Sequence, residues 1–340
     1  MIRFTRCLTT VDAHAAGEPL RIVTSGLPQI EGDTILEKRR TMVERYDHIR
    51  KLLMLEPRGH SGMYGCIITP PTTDDGDFGV LFMHNEGFST MCGHGIVAVT
   101  KVAIDIGLVE VTSERMEIKI DAPAGRITAR ALVRDGRALD VSFDNVPSFV
   151  FASNLEVDVD GVGEIPVDIA FGGAFYVYAD AAGLGVRVVP EQIDRLVELG
   201  VELKHKVMDR MEIVHPLESE LRGIYGTIIC EDAVKIEGCV ESRNVCIFAD
   251  AQIDRSPTGT GTSGRLAQLF ERGIIDRDVH FTNRSIIDTA FWGRITGFEK
   301  VGDFQGVQTE VGGAANIMGF HQFVLEPDDP LPEGFRITGG

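Results

Sequence analysis

Two stretches of the chain decide its fold: MCGHGIVAVTKVAIDIGL at residues 91–108 and PTGTGTSGRLAQLFERGI at residues 257–274. They align at an offset of 166 residues, which places Gly93 on Gly259. Each stretch begins with closely spaced glycines and ends at another glycine, as a helix with a glycine stop does. Residues 96–106 are almost all apolar, which is typical of a helix buried on most sides. We interpret the two stretches as copies of one helix that follows a glycine-rich turn.

Three further pairs of matching segments keep the same order along the chain. A single match means little, whereas four matches in one order indicate an internal duplication. The pairs are GMYGCII at 62–68 with GIYGTII at 223–229, GRIT at 125–128 with GRIT at 293–296, and, more weakly, VDAHAAG at 11–17 with VDIAFGG at 167–173.

The duplication predicts a mixed α/β (α+β) fold of two similar half-domains, residues 1–152 and residues 153–340. Each half contains short β-rich runs, a glycine-rich turn, a helix and more β-rich runs. Duplicated halves pack about a pseudo-two-fold axis, so we expect the two helix starts to face each other across a cleft. The sequence leaves open whether residues 320–340 return to pack on the first half.

Two peripheral helices are also predicted. An apolar stripe from Met42 to Leu53 indicates one helix, which ends before Pro57. Pro190 opens the other helix, which we expect to stop near Gly200.

Composition excludes several classes of function. The chain has 340 residues, and its 33 basic and 51 acidic side chains give a formal charge of −18. This balance argues against binding to nucleic acid or to an anionic membrane, because both need basic patches. The six cysteines show no C-x-x-C spacing, and neither a signal peptide nor a membrane span is recognised. Reduced thiols in a cytoplasmic protein are therefore expected.

The two helix starts are the predicted site of chemistry. A helix start leaves backbone N–H groups unpaired and carries a partial positive charge, so two such starts can hold a carboxylate between them. The same field lowers the pKa of a cysteine at the helix N-terminus. Cys92 occupies that position, which makes it a candidate thiolate. The alternative is a buried core cysteine, which is the interpretation given to the other five.

Three more polar residues are candidates for the site. His94 is suited to stabilising a thiolate or binding the substrate, although a capping or packing role fits equally well. Asp254, four residues before Thr258, is suited to receiving a substrate nitrogen, with a turn-forming or Arg-paired aspartate as the alternative. For His14, the sequence is equally compatible with a residue that lines the cleft and with a structural role.

Competing motifs are weaker. Residues 259–264 read GTGTSG, which formally matches a dinucleotide fingerprint and follows a strand-like run. The β-rich sequence after it contains no second βα unit, however, and its repeat partner lacks the pattern. No pair of ligand residues has zinc-like spacing, and no G-x-S-x-G elbow is present. We therefore expect neither a metal nor a nucleotide cofactor.

The chain resembles the proline racemase superfamily over almost its whole length. The segments that carry this resemblance are DAHAAGEPLRIV from Asp12, PRGHSGMYG from Pro57, MCGHG from Met91, FGGAFY from Phe171 and DRSPTGTGTSGRLA from Asp254. The resemblance implies the diaminopimelate-epimerase-like fold, in which each of two domains is a curled sheet around a central helix. It also implies catalysis without cofactor or metal, an active site between the domains, and a homodimer.

The same resemblance assigns roles to individual residues. Cys92 matches the first catalytic cysteine of the family, and Thr258 stands where racemases and epimerases have a second cysteine. The positions that match substrate-binding residues are Gly93, His94, Asp254, Gly259 and Thr260. A threonine hydroxyl is too weak an acid and base to exchange a proton at an unactivated Cα, so two-base racemisation is not expected.

A cysteine–threonine pair is similar to that of the trans-3-hydroxy-L-proline dehydratases in this superfamily. The resemblance then implies a hydro-lyase: Cys92 removes the α-proton, water leaves, and Δ1-pyrroline-2-carboxylate forms. Thr258, or a water that it positions, is the candidate to assist the departure of the hydroxyl. Two alternatives stay open, a 4-hydroxyproline 2-epimerase or proline racemase that uses another base, and an imino-acid-binding protein with little catalysis.

Overall fold

The computed structural model describes residues 4–249 and 251–337 and divides them into two compact units. Within the described residues, the first unit is made of residues 4–141 with 314–337, and the second of residues 142–249 with 251–313. The first part of the chain forms β1 (Arg6–Ala15), β2 (Glu18–Ser25), α1 (Ile35–Arg45), α2 (Asp47–Met54), β3 (Tyr64–Thr69), β4 (Phe78–His84), β5 (Phe88–Ser89), α3 (Gly93–Asp105), β6 (Arg115–Ala122), β7 (Gly125–Arg134) and β8 (Arg137–Asp144).

The rest of the chain forms β9 (Ser148–Val159), β10 (Gly163–Phe171), β11 (Phe175–Asp180), α4 (Ile193–Arg210), β12 (Ile224–Cys230), β13 (Val234–Ile236), β14 (Cys239–Phe248), β15 (Gln252–Asp254), α5 (Gly259–Glu271), β16 (His280–Arg284), β17 (Ala290–Val301), β18 (Phe304–Gly313) and β19 (Ala315–Leu325).

The sheet of the first unit curls around α3. Its strands follow the order β19-β1-β2-β3-β4-β6-β7, with parallel pairs at β2–β3 and β4–β6 and antiparallel pairs elsewhere. Helix α3 packs against β19 and β1 at one end of this order and against β7 at the other. One helix can touch both ends only if the sheet bends around it. The C-terminal strand β19 thus belongs to the first unit, paired with β1 along its whole length.

The sheet of the second unit closes into a barrel around α5. Its order is β9-β10-β11-β12-β14-β16-β17-β18, and β18 pairs back with β9 through Gly306 and Phe149. Helix α5 packs against β9, β10, β11, β17 and β18. Helix α4 packs against the face of this sheet that is turned away from α5. Its buried leucines join a separate apolar cluster there.

The two central helices repeat the same local plan. Each has 13 residues, and they begin at the aligned residues Gly93 and Gly259. Each ends before a glycine with positive φ, Gly107 at 75° and Gly273 at 66°, a conformation that side chains with a Cβ rarely adopt. The prediction of two similar units, each a curled sheet around a central helix, is confirmed.

The peripheral helices differ from the sequence-based expectation. The stripe from Met42 to Leu53 is split between α1 and α2, because Tyr46 leaves the helical conformation at φ −129° and ψ 15°. The predicted stop near Gly200 is wrong, since α4 continues to Arg210. A Cβ at Gly200 would lie 2.8 Å from the Cβ of Ile247, so this glycine allows the helix to approach β14 closely. No helix among residues 4–249 and 251–337 is long and apolar enough to cross a membrane.

Candidate active site

Cys92 is the N-cap residue of α3. Its backbone is extended, at φ −152° and ψ 111°, and its sulfur accepts a hydrogen bond from the Gly95 backbone N–H at 3.3 Å. A cap that accepts from the first turn satisfies one of the helix's unpaired donors. The positive end of the helix therefore favours a negative charge on this sulfur.

His94 adds a second partner for the same sulfur. Its Nδ1 lies 3.3 Å from Cys92 Sγ and its Nε2 lies 3.7 Å away. The imidazole contacts the edge of the Tyr64 ring at a centroid distance of 4.9 Å, and the Tyr64 hydroxyl bonds Ser89 Oγ at 2.6 Å. Cys92 and His94 are 7% and 6% exposed, so the thiol and the imidazole interact where water is largely excluded.

Gly95 makes this arrangement possible. A Cβ at this position would lie 2.5 Å from Phe82 Cε1 and 2.9 Å from Cys92 Sγ. Both distances are shorter than any ordinary contact. The glycine thus lets the sulfur lie over the first turn of α3 while the ring of Phe82 packs behind it.

Thr258 precedes α5 at the position that aligns with Cys92, but it does not cap the helix through its side chain. Its hydroxyl donates to Asp254 Oδ2 at 2.8 Å, and Asp254 Oδ1 accepts the backbone N–H of Ser256 at 2.8 Å. Its φ is 65° and its ψ 104°, which is a strained conformation for a β-branched residue. Strain of this kind persists only where the surroundings fix it, and the bond to Asp254 is one such restraint.

Two buried tyrosines of β11 fix the first turn of α5. The Tyr176 hydroxyl bonds Thr260 Oγ1 at 2.7 Å, and the Tyr178 hydroxyl donates to the carbonyl of Gly261 at 2.8 Å. Burial raises the pKa of both phenols well above the usual range, so both remain neutral hydrogen-bonding groups. These two hydrogen bonds therefore fix Thr260 and Gly261, in the first turn of α5, against β11.

Cys246 is a neighbour of Thr258 that sequence reasoning missed. It pairs directly with Asp254 in the β14–β15 hairpin and interacts with the Thr258 hydroxyl. Burial and the Asp254 carboxylate raise the pKa of this thiol well above its usual range. The thiol therefore stays protonated and does not act as a base. The hairpin spacing between Cys246 and Asp254 was the signal available in the sequence.

Other residues singled out from the sequence have local roles. The Nδ1 of His14 accepts the backbone N–H of Gly17 at 3.2 Å and so closes the β1–β2 turn. Within GTGTSG, a Cβ at Gly264 would lie 2.3 Å from the Tyr178 hydroxyl, so this glycine serves the packing of α5. In the part of the chain that the structure describes, no group of three histidine, cysteine or acidic side chains is arranged to hold a metal ion.

The structure thus collects the candidate residues in two groups, one in each unit. Cys92, Gly93 and His94 are at the start of α3, and Asp254, Thr258, Gly259 and Thr260 are at the start of α5. The first group contains a sulfur between a helix amide and an imidazole. The second contains a hydroxyl bound to a carboxylate, next to a first turn without a side-chain cap.

Comparison with known proteins identifies relatives of this chain. The family model described as proline racemase matches residues 10–336. The chain is 48% identical over 336 residues to a trans-3-hydroxy-L-proline dehydratase of Bacillus thuringiensis subsp. konkukian, which covers 99% of this chain and 100% of the relative. It is 43% identical over 336 residues to a trans-3-hydroxy-L-proline dehydratase of Burkholderia ambifaria, with the same coverage of 99% and 100%.

Solved structures show the same fold. A hydroxyproline epimerase of Agrobacterium vitis with bound trans-4-hydroxy-L-proline matches with a TM-score of 0.87 at 30% identity, over 99% of this chain and 97% of that one. A phenazine biosynthesis protein of the PhzF family from Bacillus anthracis matches with a TM-score of 0.60 at 14% identity, over 94% of this chain and 100% of that one. The second likeness shows the fold alone.

Proposed function

The chain belongs to the proline racemase family, and we propose that it is a trans-3-hydroxy-L-proline dehydratase, a hydro-lyase that needs no cofactor. The observation that carries the proposal is the unequal pair of helix starts. Cys92 has a sulfur bonded to a helix amide and 3.3 Å from His94 Nδ1, whereas Thr258 has a hydroxyl bonded to Asp254. One group is equipped to remove a proton and the other is not. The relatives described as dehydratases at 43–48% identity support the same conclusion.

Removal of the α-proton is assigned to Cys92. The thiolate takes the proton from Cα, and negative charge develops on the carboxylate. Backbone amides at a helix start are suited to stabilising this charge, because fixed N–H donors gain in strength as the charge grows. We propose Gly93, His94, Gly259 and Thr260 as substrate-binding residues. The C3–O bond then breaks, and the enamine becomes Δ1-pyrroline-2-carboxylate.

Recognition of the ring nitrogen is assigned to Asp254. Its carboxylate is 8% exposed and is oriented by Ser256 and Thr258. Each carboxylate oxygen can accept more than one hydrogen bond, so both contacts are compatible with binding a cationic imino nitrogen. His14, on β1, is proposed as a further substrate-binding residue.

An epimerase is the competing function, because the solved relative from Agrobacterium vitis is a hydroxyproline epimerase. Inversion requires a proton on the opposite face of Cα and hence a second acid–base group. The Thr258 hydroxyl donates a hydrogen bond to Asp254 and is too weak an acid and base to exchange a proton at Cα. The neighbouring thiol of Cys246 is fully buried, so it does not reach a substrate. Neither residue replaces a second catalytic cysteine, so dehydration is favoured.

We also propose a cytoplasmic location and a homodimer. None of the six cysteines, all of which the structure describes, forms a disulfide, which suits a reducing compartment. The homodimer is carried over from the resemblance to the family, and sedimentation of the purified protein tests it.

Incubation in deuterated water tests the function. Wild-type protein is given trans-3-hydroxy-L-proline, trans-4-hydroxy-L-proline and L-proline in separate tubes, and products are followed by NMR. We expect a cyclic imine from the 3-hydroxy compound and no useful inversion of the other two. A parallel tube with a chelator should show the same rate. Rapid inversion of the 4-hydroxy compound, with no imine from the 3-hydroxy compound, would establish the epimerase instead.

A further inference from the structure

Loss of a hydroxyl group requires a proton, and the structure limits which residue can supply it. The Thr258 hydroxyl, a candidate by position, donates to Asp254 Oδ2 at 2.8 Å, and both side chains are at least nine-tenths buried. Breaking this bond removes the Thr258 donor from Oδ2 of a buried carboxylate, which is unfavourable. Thr258 is thus arranged to accept a hydrogen bond and not to give up a proton.

Cys92 and His94 form the alternative proton store. The sulfur lies 3.3 Å from Nδ1 and 3.7 Å from Nε2 of the imidazole. When the thiolate takes the α-proton, the pair holds one proton more than before. The Gly95 amide and the helix start favour the thiolate. The Cys92–His94 pair therefore releases that proton readily.

The stereochemistry of the substrate places the leaving group within reach of the same pair. In a trans-3-hydroxy-L-proline ring the hydroxyl and the carboxylate lie on opposite faces. The α-hydrogen is opposite the carboxylate, so the α-hydrogen and the hydroxyl share one face. The group that removes the proton is therefore next to the hydroxyl that must leave.

We propose, on the basis of the dehydratase function above, that the Cys92–His94 pair returns the α-proton to the departing 3-hydroxyl. In the first step the Cα–H bond breaks, the S–H bond forms, and the electron pair stays on the substrate. In the second step that pair forms the C2–C3 double bond, the C3–O bond breaks, and the oxygen takes the proton from the pair as water. The thiolate is restored, and no oxidant or other reactant is consumed.

Asp254 then acts on Thr258 as a positioning residue. It accepts the hydrogen bond of the hydroxyl, so the Thr258 oxygen is available to other groups only as a hydrogen-bond acceptor. The same bond restrains a backbone at positive φ.

The test uses a ratio that does not depend on how much enzyme is folded. In deuterated water, cyclic imine formed is divided by deuterium incorporated at Cα of the remaining trans-3-hydroxy-L-proline. Thr258→Val removes the hydroxyl. His94→Gln keeps a hydrogen-bond donor beside the sulfur but cannot carry a proton. If the pair is the acid, His94→Gln lowers the ratio at least tenfold, and Thr258→Val leaves it within about threefold of wild type.

The opposite pattern, in which Thr258→Val lowers the ratio tenfold and His94→Gln does not change it, overturns the proposal and makes Thr258 the acid. A second substrate provides an independent check. In cis-3-hydroxy-L-proline the hydroxyl lies on the face opposite the α-hydrogen, so we expect its dehydration to be at least a hundredfold slower. Equal rates for the two isomers also contradict the proposal. Failure of the dehydratase assignment itself is recognised separately, because wild type then forms no imine from the trans isomer.

Discussion

At the start of α3 the N-cap sulfur accepts a hydrogen bond from the helix, whereas at the start of α5 the aligned hydroxyl donates a hydrogen bond to a carboxylate outside the helix. The first arrangement has φ −152° at Cys92 and a 3.3 Å bond from Gly95. The second has φ 65° at Thr258 and a 2.8 Å bond to Asp254. The duplicated backbone therefore presents one start suited to proton removal and one suited to binding.

Substitution of the capping sulfur should have the largest effect. Cys92→Ser replaces a thiol with a hydroxyl that stays neutral at the pH of the assay. We expect kcat to fall at least about a hundredfold, the usual loss when a general base is removed, while the thermal midpoint changes little. Cys239→Ser is the matched control, because Cys239 is a partly exposed thiol whose sulfur donates to the Ile236 carbonyl. Activity of Cys92→Ser within tenfold of wild type would remove Cys92 from the mechanism.

Making the two starts alike is the next test. Thr258→Cys places a thiol in a buried position beside Asp254, and burial together with that carboxylate raises the pKa of the neighbouring Cys246 thiol. A protonated thiol is the form that delivers a proton to Cα. We therefore expect slow epimerisation of trans-4-hydroxy-L-proline to appear and the dehydratase rate to fall about tenfold, since the new sulfur is not aligned as the hydroxyl was.

Thr258→Ser controls for that change, because it keeps the hydroxyl and adds no thiol. It should show no epimerisation in a chiral assay of the 4-hydroxy substrate. Epimerisation by the serine variant at the rate of the cysteine variant contradicts the role assigned to the thiol.

The sequence predicted correctly those features that depend on local backbone conformation. The glycine patterns at 91–108 and 257–274 gave both central helices their starts and their ends, because positive φ at Gly107 and Gly273 is a local requirement. The order of the repeats also predicted two similar units. The position of Cys92 at a helix N-terminus followed from the same pattern.

Features fixed by long-range contacts were not predictable in the same way. Gly200 looked like a helix stop, but it accommodates Ile247 from a strand almost fifty residues further along the chain. The closure of the second sheet depends on the pairing of β18 with β9. The hydrogen bonds of Tyr176 and Tyr178 to the first turn of α5 join residues more than eighty positions apart. Local pattern contains no information on such pairs.

The second glycine of each helix start gives a smaller test. A Cβ at Gly95 would meet the rigid Phe82 ring at 2.5 Å and the Cys92 sulfur at 2.9 Å, whereas a Cβ at Gly261 would meet the flexible end of Ile228 at 2.4 Å. Overpacking of this kind costs about 1–3 kcal/mol. We expect Gly95→Ala to lower kcat about tenfold by displacing the sulfur, and Gly261→Ala to lower it less at a similar thermal midpoint. Steady-state kinetics with thermal melts separates the two effects, and a larger loss of kcat in Gly261→Ala contradicts the assignment.

The smallest expected effect is a dependence of stability on pH that arises near α3. His84 stacks on Tyr64, whose ring contacts His94. Burial, with the charges of Arg50 and Arg336, lowers the pKa of His84 to about 4, against about 6.5 in an unfolded chain. Between these values the unfolded chain binds a proton that the folded protein does not, so this contribution to stability is complete above pH 6.5 and is lost as the pH falls toward 4. Urea unfolding at pH 7.5 and pH 5 should therefore show a larger drop for wild type than for His84→Gln, by about 1–2 kcal/mol. Equal drops in the two proteins would mean that His84 is protonated alike in the folded and unfolded states.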